Sequence, residues 1–179
     1  TGTKNLQDQI YYKDLPALRE ALDIDVRATY MKGRNNYLCL HRFAARKTEM
    51  SSLPLVKQHY LEQLTQWADQ TTTGDRAEIE DLPDDFSDWG DIAATSENCI
   101  GTECPEFQEC YVTKMRQQAL ESSIVIVNHH LLCADAAVRQ STYGEVIPTC
   151  SFAIIDEAHH SIVKSYRDIL QWAGVFDGI

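Results

Sequence analysis

Phe152-Ala153-Ile154-Ile155-Asp156-Glu157-Ala158-His159-His160 runs from four apolar residues straight into two carboxylates and a histidine pair. The apolar four read as a strand buried on both faces, the kind that parallel sheets use beneath covering helices. The break into Asp156-Glu157 puts charge at the strand's C-terminal end. There one carboxylate can hold Mg²⁺ through water while the next orients an attacking water, as nucleotide hydrolysis requires. The plainer alternative is a strand followed by an acidic helix N-terminus, which the helix dipole favours in any case. The whole tetrad Asp156-Glu157-Ala158-His159 behind Ile-Ile argues against that alternative.

A second run of the same kind, Ile124-Val125-Ile126-Val127, ends in Asn128-His129-His130 and leads into an amphipathic helix through Leu131, Leu132 and Ala136. Val26 to Met31 alternates as a third strand. Residues 4–22 form an apolar helical stripe of Leu6, Ile10, Leu15, Leu18 and Leu22, with Pro16 breaking it in two. Val56, Tyr60, Leu61, Leu64 and Trp67 mark a helix after Pro54, and Tyr111, Met115 and Ala119 mark another. Short buried strands, each followed by a helix with polar residues at the junction, give an α/β fold with an open parallel sheet. The middle of the chain, roughly 34–113, fits that sheet poorly and reads as a mainly α-helical insertion.

With 44% apolar and 24% charged residues in 179, the composition is that of an ordinary globular protein with room for one core and an inserted subdomain. No apolar run approaches the ~20 residues of a membrane span. No secretory signal is visible, so the expectation is a cytoplasmic protein. The net charge of −11 is uneven: residues 1–50 carry +3, residues 51–113 carry −12 and residues 114–179 carry −2. The basic first segment can therefore still face a phosphate backbone. The acidic stretch, Asp75 to Asp91 within 71–98, reads as a solvated loop and a possible docking site for a basic protein.

Six cysteines stand at 39, 99, 104, 110, 133 and 150. Cys133, on an apolar helix, and Cys150, before the final strand, read as core cysteines. The set Cys99-x4-Cys104-x5-Cys110 is local, and Cys104-Pro105 favours an exposed turn. With Cys39 upstream it supplies four thiols. Structural zinc favours paired C-x2–4-C knuckles, whereas an iron–sulfur cube tolerates wider, irregular spacing. From spacing alone cluster, zinc and no metal all stay open.

Taken in order, these pieces resemble the XPD-type iron–sulfur helicases of superfamily 2, in their bacterial DinG/YoaA branch. Thr1-Gly2-Thr3-Lys4-Asn5-Leu6-Gln7 is similar to motif Ia of that family, and Lys32-Gly33-Arg34-Asn35-Asn36-Tyr37-Leu38-Cys39 to its lead-in to the first cluster ligand. Ile126 to Leu132 resembles the strand-to-helix segment after the cluster domain, and Asp156-Glu157-Ala158-His159 its motif II, the DEAH box. The resemblance implies part of a RecA-like domain over 1–33, an inserted iron–sulfur domain over 34–113 and a return to the RecA-like domain over 114–179. It implies an ATP-dependent 5′→3′ DNA helicase acting in DNA repair or replication. A [4Fe–4S] cluster would sit on Cys39, Cys99, Cys104 and Cys110. Asp156 would hold Mg²⁺, Glu157 would position water and His159 would couple nucleotide to DNA. Thr3, Lys4, Arg34 and Tyr37 would meet single-stranded or forked DNA, Tyr37 by stacking on a base. A packed aromatic and a local ion pair are the structural alternatives for Tyr37 and Arg34.

The chain also departs from the family. No G-x-x-x-x-G-K-(S/T) run occurs, so the cradle for the β- and γ-phosphates of ATP is not in this sequence. The expectation is a chain inactive by itself. The alternative function is a zinc- or cluster-stabilised module that binds nucleic acid or protein without motor activity.

Overall fold

The computed structural model describes residues 1, 3–49, 54–79, 82, 86, 88–139 and 145–156. In chain order the helices are α1 (Lys4–Gln9), α2 (Leu15–Leu22), α3 (Leu40–Thr48), α4 (Leu55–Ala68), α5 (Trp89–Ile92), α6 (Tyr111–Glu121) and α7 (His129–Arg139). The strands are β1 (Ala28–Met31) and β2 (Ile124–Val127). These elements divide between two compact units, one built from Thr1–Lys32 with the described residues from Arg116 onward, the other from Gly33–Met115. Among the described residues no helix is long and apolar enough to cross a membrane.

In the first unit β1 and β2 pair in parallel, Ala28 opposite Ile124 and Met31 opposite Val127. Gln7 of α1 clips this pair together. Fully buried, its Nε2 donates to the carbonyls of Met31 at 2.6 Å and Ile126 at 2.7 Å. Between α1 and α2 the helix widens into a π-helical stretch, Ile10–Asp14, where the Leu15 N–H reaches the Ile10 carbonyl. This is the form taken by the break expected at Pro16. A proline lacks an N–H and crowds the carbonyl four residues back, and the wider turn absorbs both defects. Leu15 of the apolar stripe is buried, but Leu18 and Leu22 are exposed.

Two sequence expectations fail in this unit. Residues 152–155 are not a strand: among the described residues the sheet has two strands, and Phe152 and Ile154 are 91% and 97% exposed. Residue type suits Phe-Ala-Ile-Ile to a strand, but a strand exists only where a neighbour takes up its backbone groups and a layer covers its side chains. Among the described residues neither is present there. Cys150, which leads into it, is accordingly exposed rather than a core cysteine. β2 itself buries Ile126 and leaves Ile124 exposed.

The second unit is held by Phe43 of α3, Leu61 and Leu64 of α4, and Trp89 and Ile92 of α5, all buried. Trp89 donates from Nε1 to the Asn35 carbonyl at 2.7 Å, and the Arg76 guanidinium lies 5.6 Å over its ring. Part of the acidic stretch joins this packing, although Glu78 and Asp91 are exposed as a solvated face requires and Glu80, Asp81, Asp84 and Asp85 lie outside the described residues. Asp75 is buried and caps a 3₁₀ turn by accepting from the Ala77 N–H at 3.0 Å. Glu78 accepts from Trp67 Nε1 at 3.1 Å, from Thr71 Oγ1 at 2.5 Å and from the Thr73 hydroxyl. Asp88 pairs with Lys57 at 2.7 Å and Arg46 at 3.8 Å, while Arg46 also reaches Asp91. Carboxylates supplied with donors at turns do structural work that composition alone does not reveal.

Candidate metal centre and carboxylate edge

Cys39 closes a short extended run that is laced into the second unit from two sides. Leu38 N–H donates to the Gly74 carbonyl at 2.9 Å, Cys39 N–H to Ile92 at 2.8 Å, and Ala94 N–H to Tyr37 at 2.9 Å. Tyr37 bridges Asp75 and Leu38 bridges Ala93. The chain then turns into α3, with Cys39 as its N-cap. Cys110 stands in the same position before α6, its carbonyl accepting from Lys114 N–H at 2.9 Å.

Gly74 is what lets this packing close. Its φ is +65°, and a Cβ there would stand 2.3 Å from the ring of Tyr111, the residue after Cys110. Burial pushes the Cys39 thiol up, the Arg42 backbone N–H pulls it back, and charge on Cys110 and Cys104 pushes it up again. Cys104 and Cys110 thus each lie within electrostatic reach of Cys39. Cys99 is exposed, and Cys39, Cys104 and Cys110 are half-buried; all four are free thiols. Among the described residues no three His, Cys, Asp or Glu side chains stand close enough together to hold one metal ion. The donor set, four unpaired thiols within one unit, is chemically suited to an iron–sulfur cluster or to zinc.

The residues expected to meet DNA fare differently. Tyr37 is 1% exposed, so the packed aromatic is the reading that the geometry supports and no ring face is open to a base. Arg34 is half-buried in a 3₁₀ turn. Thr3 is exposed, and its hydroxyl caps α1 by accepting from Leu6 N–H at 3.2 Å. Lys4 opens α1, and its side chain lies outside what the structure describes. Several other cations of the basic first segment are engaged internally. Lys32, 2% exposed, pairs with Asp8 at 2.9 Å, Arg42 donates to the Ala93 carbonyl at 3.0 Å, and Arg19 donates to the Val26 carbonyl.

At the other candidate site, Asp156 is exposed at the end of the described residues, while Glu157 and His159 lie outside them. Asp156 has a neighbour that the sequence did not single out. Burial and the nearby N-terminal charge hold the His129 imidazole below its ordinary pKa, and Asp156 opposes that shift. Gln7 was also missed, although it shares a helix face with Ile10 and Tyr11, which was its one signal. The buried Lys32–Asp8 pair had none, because a Lys before Gly-Arg-Asn-Asn looks like part of a polar turn.

No protein-family model matches the chain. Individual proteins do, among them helicases named YoaA and DinG and, in Bacillus subtilis, a protein named 3'-5' exonuclease DinG, 32% identical over 158 residues. ATP-dependent DNA helicase YoaA of Escherichia coli is 39% identical over 159 residues, which is 89% of this chain and 25% of that protein. YoaA of Haemophilus influenzae is 41% identical over 167 residues, with the same shares. ATP-dependent helicase DinG of Mycobacterium tuberculosis is 30% identical over 177 residues, 89% of this chain and 26% of that protein. The chain is related to the DinG/YoaA helicases and matches one segment of them. It spans about a quarter of the length of the curated relatives it matches.

Proposed function

We propose that this chain is the cluster-bearing and motif II segment of an ATP-dependent 5′→3′ DNA helicase that engages single-stranded DNA in repair or replication. The observation that carries the reading is relatedness to helicases across nearly the whole chain, together with four free thiols in one unit. Cys39, Cys99, Cys104 and Cys110 would hold a [4Fe–4S] cluster, which would brace the second unit and supply a fixed, charged centre beside bound DNA. Asp156 would hold Mg²⁺ and Glu157 would orient the attacking water, with His159 linking nucleotide state to DNA. Thr3, Lys4 and Arg34 remain the proposed strand contacts; Tyr37, being enclosed, would support them from within. Because the sequence carries no phosphate-binding loop, the chain alone is expected to leave ATP intact.

The test is iron, zinc and acid-labile sulfide analysis on anaerobically purified chain, with alkylation mapped cysteine by cysteine. Cys99 and Cys150 are both exposed. With a cluster bound, Cys150 should alkylate while Cys99 is shielded, and chelation should expose Cys99. Stoichiometric zinc without sulfide, or equal labelling of both cysteines in iron-loaded protein, refutes the cluster.

A further inference from the structure

We infer that Tyr12 is the ring on which a base of single-stranded DNA stacks, the role that the enclosed Tyr37 cannot fill. The inference rests on the reading of this chain as a strand-binding segment of a helicase.

Among the described residues two aromatic side chains are exposed, Tyr12 at 58% and Phe152 at 91%. Phe152 stands in the unpaired run 152–155, and no other ring packs against it among the described residues. Tyr12 is held from several sides. Its ring centroid lies 5.0 Å from that of Tyr11 at 86° and 6.1 Å from that of Tyr30 at 59°, and the Tyr12 and Tyr30 hydroxyls are 3.4 Å apart. Tyr30 of β1 is itself buried and meets Tyr11 at 5.0 Å. The Lys32 ammonium stands 5.1 Å from the Tyr30 ring centroid and pairs in turn with Asp8. Consecutive side chains on an α-helix do not face each other. Here Tyr11 and Tyr12 both reach the Tyr30 ring, from the π-helical stretch Ile10–Asp14. Single π-turns of this kind are frequent at functional sites.

A ring fixed by its neighbours, yet more than half open to solvent, suits base stacking: it offers a π-face and loses little side-chain freedom on binding. Every base has such a face, so the contact is tolerant of sequence. Its place along the chain fits as well. Tyr12 follows Lys4 by eight residues, about 12 Å of helix, so a short single strand spans both the start of α1 and this ring. Charge does not mark the position, because the exposed Lys13 and Asp14 that follow Tyr12 offset each other. Tyr12 would therefore contribute stacking, leaving phosphate contacts to Thr3 and Lys4.

Fluorescence anisotropy of the anaerobically purified chain with labelled oligothymidylate, at several salt concentrations, tests this. Tyr12→Ala should weaken binding about 5- to 150-fold and leave the salt dependence of the affinity unchanged. Tyr12→Phe, which keeps the ring, should bind like the wild type. An abasic strand, with phosphates but no bases, should bind the wild type and Tyr12→Ala alike. Exchange protection of the β1 and β2 amides reports whether each variant is folded. If Tyr12→Ala loses that protection, photo-crosslinking of the wild type to a strand carrying 5-bromouracil decides, and the crosslink should fall on Tyr12. A folded Tyr12→Ala that holds oligothymidylate as tightly as the wild type, or crosslinks that bypass Tyr12, overturns the inference and leaves strand binding standing. A wild-type chain that binds no strand even at low salt overturns the strand-binding reading and the inference with it.

Discussion

Replacing Gly74 by Ala separates two costs that the structure assigns to one position. The first is conformational: φ is +65°, and an L-residue in the left-handed region costs about 1–2 kcal/mol. The second is steric. The new Cβ would lie 2.3 Å from Cδ2 and Cγ of Tyr111, near the root of a buried ring that cannot simply swing away. Overpacking of this kind costs about 1–3 kcal/mol. The sum is about 2–5 kcal/mol. Gly101 provides the internal control, because its φ is +62° and a Cβ there meets nothing within 4 Å. Gly101→Ala should therefore cost only the conformational part. Urea unfolding followed by tryptophan fluorescence reads the second unit through Trp67 and Trp89. Because Tyr111 follows Cys110, Gly74→Ala should also lower iron content, and Gly74→Ala combined with Tyr111→Ala should recover most of the steric part. If Gly74→Ala and Gly101→Ala destabilise equally, the packing of Tyr111 against Gly74 is not what the reasoning takes it to be.

Gln7→Leu keeps the volume but removes the two side-chain donations that tie α1 to the Met31 and Ile126 carbonyls, worth about 0.5–1.5 kcal/mol each. The loss, about 1–3 kcal/mol less what relief of the buried, unpartnered Oε1 returns, should be read as reduced amide-exchange protection of β1 and β2. No loss of protection would mean that the clip is dispensable. Asp135→Ala breaks a 1% exposed carboxylate away from Arg139 at 2.6 Å and from the Val146 and Ile147 N–H groups at 2.7 and 2.9 Å. Removing one side of a buried pair costs about 3–5 kcal/mol, and limited proteolysis should then cut first at 145–150; an unchanged cleavage order would refute this.

The parts of the fold that could be read in the sequence are those fixed by local periodicity. Leu61 and Leu64, and Met115 and Ala119, fall at helical spacing, and each pair is buried, in α4 and α6. The four thiols of the Cys39, Cys99, Cys104 and Cys110 pattern all fall within the second unit. What failed depended on partners distant in sequence. Phe152 to Ile155 carry a strand's residues without a strand's neighbours. Tyr37 looked like an exposed ring beside a basic turn, yet Asp75 and Ala94 enclose its backbone. Asp75 and Asp88 looked solvated because composition counts charges and says nothing of the donors that meet them.

That enclosure changes the energetics expected of metal assembly. In sequence, 59 residues separate Cys39 from Cys99, and a ligand set spanning them would close a long, costly loop. The backbone bonds from Cys39 to Ile92 and from Tyr37 to Ala94 have already closed most of it. What remains between Ala94 and Cys99 is four residues, and shortening a flexible loop that far saves about 2 kcal/mol of closure entropy. The first ligand is therefore placed by protein packing, and metal has only to order the local 95–110 segment around it. Cys104→Ser should open 95–110 to protease while 37–39 and 88–94 stay protected. Digestion spreading at once through 40–94 would show that the metal, rather than the acidic segment, holds Cys39 in place.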